Sequence, residues 1–600
     1  MHAPYTPATA PRLQSSPDVI VVGSGAGGGV AAMVLADAGL NVLVLEKGPW
    51  YTSAQFSNDE LKFGQRQFFV QDPHVEPRTF RNTEQDGDHL FVGQVLGLSQ
   101  CVGGGTVHYG AVSLRFQDAD FRARSFYGPI AGGDLEDWPL GYADLAPYFD
   151  RVEFLLGVAG DDTNGGRSHR FRTPHGYPLP AHAANYGAGL FEAAAYKLGL
   201  NPYPTPVAIA SRPYPVDPLS RPGDPLHGLL RPACSYCSFC SSYGCPIDAK
   251  ASTMVTTLQR AQATGRCEVR PLATVTQVEA TRPAAVNYRD AQGASQVVTA
   301  PVVVLAGSAV DTARLALHSR LPDPNQLIGR FLTAHHYVGG IGVFVDRINY
   351  WKGFWSMRCL DDYYTGDAPA GQRFFGGGNI QTVGPSAGYP LGASGIIGQA
   401  QLVGWGESHG FLMSKSLGHS QWLGLIGHDV PVASNRVDLD PTVRDAHGLP
   451  AARITYLHHP NDVAAATYYT RVFDGLFQAM GASEWHPAPE TLPSAVTSVP
   501  QQGPQGTTQH GPARSFPETR GGLQVHQHGT MRMGADPATS VTNQFGQMWA
   551  APNVFVMDGS LFTTAGGSNP TLTIQALAWR CAEALAGGVG RAARGELVRR

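Results

Sequence analysis

Four of the chain's eight cysteines, Cys234, Cys237, Cys240 and Cys245, fall in one short stretch, CSYCSFCSSYGCP. Thiols this close can hold an iron–sulfur cluster or zinc, pair as disulfides, or simply pack. The spacing is C-x2-C-x2-C-x4-C with Pro246 next. That is one residue longer in its last gap than the bacterial ferredoxin run. Structural zinc sites usually pair two short knuckles across a longer loop. Even spacing suits a compact cluster better, so an iron–sulfur site is the favoured expectation. Zinc, disulfides and structural thiols stay as alternatives. The chain carries no secretory signal pattern, and without one clustered thiols point to metal or redox chemistry more than to disulfides. Cys101, Cys267, Cys359 and Cys581 are isolated and read as ordinary buried residues.

The second set of chemically suggestive residues is a glycine run. DVIVVGSGAGGGVAAMVLADAGLNVLVLEK, residues 18–47, orders a strand pattern, a G-x-G-x-x-G, a helical pattern, a second strand and an acid. Gly23 permits the tight turn, and Gly25 lets backbone N–H groups reach a pyrophosphate at the helix N-terminus. Gly28 allows close helix–strand packing, and Glu46 can accept from a ribose hydroxyl. This unit predicts dinucleotide binding without separating NAD from FAD.

Further blocks narrow the choice. They are VHQHGTMRM at 525–533, NVFVMDGSLFTTAGGSNPTLT at 553–573, VGGGTVHYG at 102–110 and VVVLAGSAVDTARLAL at 302–317. Together with the N-terminal unit they resemble the glucose–methanol–choline (GMC) oxidoreductases, FAD-dependent alcohol oxidases and dehydrogenases. The resemblance is weak from about 336 to 515. It implies that His526, in the H-x-x-G-T pattern, is the catalytic histidine and that Asn569 fills the second active-site position. Asp558 and Gly559 fall on the C-terminal flavin contact, and Val275 falls where backbone atoms meet the adenine. A neutral histidine suits removal of a hydroxyl proton, and an amide can hold the same oxygen. Asn569 also reads as a plain N-cap for the helix that Pro570 and Thr571 begin. The positive end of that helix suits the N1–C2=O edge of reduced flavin. His528, two residues on, would point the same way on a strand and is a rival base.

Within VGGGTVH, Gly103 and Gly104 let the backbone approach the cofactor. Relatives that align a histidine with His108 include enzymes with a covalent bond to the flavin 8α-methyl. The alternative is a histidine packed near the dimethylbenzene ring. Some sugar dehydrogenases of the family, similar to this chain in GCPIDAKAST, carry a [3Fe–4S] cluster on a cysteine-rich insert. Such a cluster needs three ligands, leaving one of the four cysteines over. A related block also occurs in members not known to bind iron.

These sites need a frame. The resemblance implies an α/β fold: a Rossmann-like FAD-binding domain interleaved with an α+β substrate domain on an antiparallel sheet. The FAD domain would collect 1–50, 90–160, 225–335 and 515–600, with the cysteine-rich insert at 232–250. Residues 51–89 would cover the cofactor, and 161–224 and 336–514 would form the substrate domain. The aromatic run YWKGFWSMRCLDDYY at 350–364 suits core packing and, second, sugar faces. Residues 485–520, rich in Pro, Gln, Ser and Thr, read as a long irregular excursion.

Six hundred residues with a net charge of −4 suggest neither a nucleic-acid nor an anionic-membrane partner. No stretch reaches the roughly 18 apolar residues of a membrane span. On its own signals the chain is expected to be cytoplasmic, or periplasmic if exported with a signal-bearing partner. The expected activity is oxidation of a hydroxyl of a sugar, glycoside, sugar acid or polyol by an FAD-dependent dehydrogenase. Its electrons would pass through the cysteine site to a small subunit, cytochrome or other acceptor. The alternatives are an oxidase using O2 with structural cysteines, and a non-catalytic flavin-fold subunit.

Overall fold

The computed structural model describes residues 5–65, 69, 72–162, 176–349, 352–384, 406–407, 410, 418–487, 501–502, 508–509 and 526–598. Its first layer is a five-stranded parallel sheet. The strand order is Cys267–Arg270, Val42–Leu45, Val19–Val22, Val302–Leu305, Val554–Val556. VIVV, VLVL and VVVL are buried along their whole length. Such uninterrupted β-branched and leucine runs are what a parallel sheet covered on both faces requires. The helix Ala26–Asp37 follows the first strand and packs on Thr571–Ala593 and Thr257–Ala263. Chain from both ends thus builds one dinucleotide-binding layer.

The second layer is a six-stranded antiparallel sheet. Its order is Glu484–Pro487, His336–Val343, Ser420–Gly427, Gly378–Val383, Arg358–Leu360, Tyr203–Pro204. The helix Pro460–Met480 lies on it, with Ala465, Tyr469, Phe473, Leu476, Phe477 and Met480 forming the buried stripe. Pro460 opens that helix, where a missing N–H costs nothing, and Gly481 closes it at φ +83°. The architecture is therefore α/β, a Rossmann-like dinucleotide-binding layer joined to an α+β part on an antiparallel sheet.

Two details position the site. The hairpin Arg436–Arg444/Pro450–Thr455 leaves the antiparallel sheet and pairs in parallel with Arg78–Arg81, forming a separate four-stranded sheet against the helix Ala309–His318. Thr333 and His528 exchange both backbone hydrogen bonds, 3.1 and 2.9 Å, so the lead-in to His336–Val343 runs antiparallel beside the 526–530 segment.

The irregular excursion expected from residue 485 begins instead as the edge strand Glu484–Pro487, which pairs with Gly340–Val343. Pro487 is tolerated there because an edge strand can spare a donor. Apart from 501–502 and 508–509, residues 488–520 lie outside the described residues. Among the described residues no helix is long and apolar enough to cross a membrane.

Candidate active site

A cavity of about 570 Å³ runs from the C-terminal ends of the parallel strands to the antiparallel sheet. Gly23, Gly25, Glu46, Val275, Gly104, His108, His526, Asp558, Gly559, Asn569, Pro570 and Thr571 all line it. Gly28 and Gly103 lie behind the wall. A Cβ on Gly28 would sit 2.1 Å from the carbonyl oxygen of Gly23, so this position must be glycine for helix and strand to close up. The first N–H groups of the helices Ala26–Asp37 and Thr571–Ala593 have no partners within their helices and open on this cavity. A dinucleotide with a pyrophosphate and an electron-accepting ring fits such a wall.

The acids on the wall are heavily committed. Glu46 accepts from Ser24 N and Oγ at 3.0 and 2.7 Å and from Gly48 N at 3.0 Å. Ser24 Oγ also accepts from Gly103 N at 3.0 Å. Asp558 accepts from Ser308 N, Thr312 Oγ1 and Ser560 N at 2.9, 2.6 and 2.9 Å, and from Ser560 Oγ. Both carboxyls are pushed up by burial, and these hydrogen bonds work against that rise.

The far end holds His526 and Asn569, with Tyr337, Trp355, Gln381, Val383 and Ile426 completing it. Asn569 Oδ1 accepts from Gln381 Nε2 at 2.7 Å, which leaves the Asn569 amide N–H groups for a substrate oxygen. Gln381 comes from the antiparallel strand Gly378–Val383, and nothing in the local sequence marks it. Trp355 lies inside the aromatic run at 350–364. The turn before Asn569 is held by Tyr364, whose hydroxyl donates to Asp120 Oδ2 at 2.7 Å and accepts from Gly567 N at 3.2 Å.

His526 and His528 both neighbour His335, but only His526 faces the cavity. His528 is fully buried, its ring flat on Phe562 at 5.1 Å and 9°, and neither ring nitrogen has a hydrogen-bond partner. Burial holds His526 at about 4, so its ring is neutral at pH 7. His108 is likewise held at about 4, by burial first and then by the charge of Lys250. Its backbone carbonyl accepts from Ser242 N at 2.7 Å, which ties it to the cysteine loop.

That loop turns left-handed at Tyr236, Ser238, Ser242 and Asp248, with φ of +55°, +76°, +71° and +59°. Cys240 is buried and Cys234, Cys237 and Cys245 are half-buried, and all eight cysteines are free of disulfides. Burial and neighbouring thiols push Cys234 up to about 11 and Cys240 higher still. The four thiols therefore share one neighbourhood, and as donors they suit a cluster. Among the described residues, however, no three metal-ligating side chains converge. Evenly spaced cysteines would wrap a cluster only if the intervening turns faced their thiols inward. Ser241 and Ser242, between Cys240 and Cys245, reach the cavity wall.

A dinucleotide cradle that opens on a neutral histidine and an amide suits an oxidoreductase acting on CH–OH groups. Comparison agrees. Residues 231–337 and 431–578 match the GMC oxidoreductase family, and residues 18–57 match an FAD binding domain. The chain is 31% identical over 584 residues to a 2-methyl-1,2-propanediol dehydrogenase of Mycolicibacterium austroafricanum, covering 94% of each chain. It is 32% identical to a 6'''-hydroxyparomomycin C oxidase of Streptomyces lividus, covering 97% of this chain and 92% of that one. It is 27% identical to a gluconate 2-dehydrogenase flavoprotein of Pantoea cypripedii, covering 95% and 93%. The chain belongs to the GMC oxidoreductase family and is an FAD-dependent oxidoreductase.

The position of His526 generates a pH prediction. Its value is lowered, so the neutral form persists from high pH down to about 4. The rate of flavin reduction by substrate, followed by anaerobic stopped-flow, should be flat from about pH 5 to 8 and fall only below that window. An exposed histidine would give an acid limb near its ordinary value of about 6.5. If His526 is the base, a limb there would show that it does not titrate as its burial requires.

Proposed function

We propose that the protein is a dehydrogenase that oxidises a hydroxyl of a sugar, glycoside, sugar acid or polyol to a carbonyl, and that its electrons then leave to a partner or external acceptor. The observation that carries this is that His526 and Asn569 line the same cavity as the dinucleotide cradle. FAD, when bound, supplies the acceptor for a hydride. His526 takes the hydroxyl proton, which it can do because burial keeps it neutral. Asn569, oriented by Gln381, donates to the same oxygen and fixes the carbon that loses hydride. Trp355 and Tyr337 offer faces to the C–H side of a ring or chain. Relatives named for a diol, a gluconate and an aminoglycoside support a hydroxylated substrate.

The reading extends to two finer features. The first is an iron–sulfur cluster, with a three-iron type favoured, on three of Cys234, Cys237, Cys240 and Cys245. Support comes from the spacing, from the shared neighbourhood of the thiols and from the contact of this loop with the cavity. The second is a covalent flavin at His108, supported by the neutral ring of His108 on the cavity wall. A second overall reading is an oxidase that passes electrons to O2, with the cysteines structural. The relative named as an oxidase and the absence of convergent thiols among the described residues favour it. Stoichiometric peroxide formation would decide for it.

Three measurements test these proposals. Sugars and polyols, screened anaerobically, should bleach the bound flavin of the native enzyme. His526→Ala should retain FAD and bleach about 10²–10⁴-fold more slowly, the usual contribution of a general base. Unchanged bleaching in that variant would remove His526 from the chemistry. Anaerobically purified protein should contain about three or four irons per chain with matching sulfide. Fully flavinated protein without iron would leave the cysteines structural. Acid precipitation of loaded enzyme should carry the yellow colour into the pellet, and colour left wholly in the supernatant would exclude the bond at His108.

A further inference from the structure

We infer that His335 is a positioning residue that fixes the tautomer of His526, so that His526 presents a bare Nε2 to the cavity. The inference rests on the reading of His526 as the base and adds a residue that no sequence motif pointed to.

The argument runs from one carbonyl. His335 Nε2 lies 3.0 Å from the carbonyl oxygen of Ala565. A carbonyl can only accept, so Nε2 of His335 carries a hydrogen. His335 is fully buried and faces other histidines, which keeps its ring neutral. A neutral ring protonated on Nε2 has a bare Nδ1. That Nδ1 lies 3.1 Å from Nδ1 of His526, with the two rings nearly perpendicular at 87°. The contact is a hydrogen bond only if His526 donates, so Nδ1 of His526 carries the hydrogen. The remaining nitrogen of the cavity-lining ring, Nε2, is then the one that can take a proton. A neutral histidine in water favours the opposite form, with its hydrogen on Nε2. His335 therefore reverses the intrinsic preference and holds the productive tautomer.

The backbone is built to deliver this contact. His335 has left-handed geometry, φ +55°, which an unsupported histidine rarely adopts. Asp429 holds the bend by accepting from Ala334 N at 2.7 Å and His335 N at 3.2 Å, and is itself held by Tyr456 Oη at 2.7 Å. The Thr333–His528 pairing sets the register of the two segments. The titratable groups facing His335 are His526, His528 and, beyond them, His428, with Asp429 on its backbone. None of the three histidine rings offers a competing hydrogen bond to Nδ1 of His335 other than His526. When a proton reaches Nε2 of His526, the Nδ1–H bond to His335 persists, so the imidazolium keeps an acceptor. No bond to carbon or change in oxidation state is involved.

The test uses the holoenzyme labelled with ¹⁵N-histidine, with the His526 signals found by difference from His526→Ala. At pH 7 the wild type should show His526 protonated at Nδ1 and bare at Nε2. His335→Ala should shift His526 toward the Nε2–H form and slow flavin reduction about tenfold or more, the scale of one lost hydrogen bond. His335→Asn, whose Oδ1 stands where Nδ1 was, should restore both the tautomer and most of the rate. Where His335→Ala fails to retain FAD, His335→Leu fills the volume without an acceptor and replaces it. A wild-type His526 with its hydrogen on Nε2, or acceptor-free variants with unchanged tautomer and rate, would overturn the inference. A full-rate His526→Ala would instead overturn the reading of His526 as the base, whatever the tautomer.

Discussion

At Gly25 and Gly104 two backbones nearly touch. A Cβ on Gly104 would stand 2.7 Å from the Cα of Gly25. Side chains on both residues would force the loops apart, and the cavity wall between them would open. The approach is stitched by hydrogen bonds that share one serine: Gly103 N to Ser24 Oγ, and Ser24 N and Oγ to Glu46. Through that serine the first helix turn, the acid after the second strand and the loop carrying His108 form one rigid unit. Glu46, expected to meet a ribose, also braces the cradle from behind. The position of His108, and through its carbonyl that of the cysteine loop, follows from this single close contact.

The catalytic end answers to a different constraint, desolvation. Burial favours the neutral form of four histidines there: His526, His528, His335 and His336 all lie below the ordinary value. That has two opposing effects. A base with a lowered value attracts a proton less strongly, by about 1.4 kcal/mol per unit. It is also never blocked by a solvent proton near neutrality. On the proposed reading of His526 as the base, the site accepts the weaker base and secures its form and direction through uncharged partners. Gln381 orients Asn569, and His335 contacts His526 without adding a charge to the cavity. An aspartate in place of His335 would raise the basicity of His526 but would bury a second ionisable group, at a cost of several kcal/mol unless fully paired.

How much of this was legible in the chain depends on distance along it. The cradle was legible because the strand, glycines, helix and acid lie within 18–47, where local spacing dictates local geometry. His526 and Asn569 were legible through a family resemblance that reads short blocks. Gln381 and His335 were not. Each acts on a residue about 190 positions away, and the pairing is set by sheet register and by the Thr333–His528 bridge. A single sequence carries no local mark of such a contact. His528 was legible as a rival because strand alternation puts it on the same side as His526. Its rank depended on which ring reaches the cavity, which alternation alone does not decide. The cysteine spacing was legible, but the left-handed turns at Tyr236, Ser238 and Ser242 between the thiols were not.

Lys250 shows how that loop is held regardless of what its thiols bind. The residue is buried, and its ammonium donates to the carbonyls of Tyr109, Cys240 and Tyr243 at 3.0, 2.6 and 2.8 Å. One of these belongs to the loop beside His108 and two to the cysteine loop, so a single charge binds both to the same point. Burial lowers its value, and the charges that oppose this come from the thiols of Cys240, Cys245 and Cys237. Three carbonyl dipoles compensate a buried ammonium only in part. A thiolate nearby would complete the compensation, so lysine and thiolate each favour the ionised form of the other. For Cys240 the charge of Lys250 works against the rise that burial imposes, but burial is the larger effect and the thiol stays neutral in the absence of a bound cation.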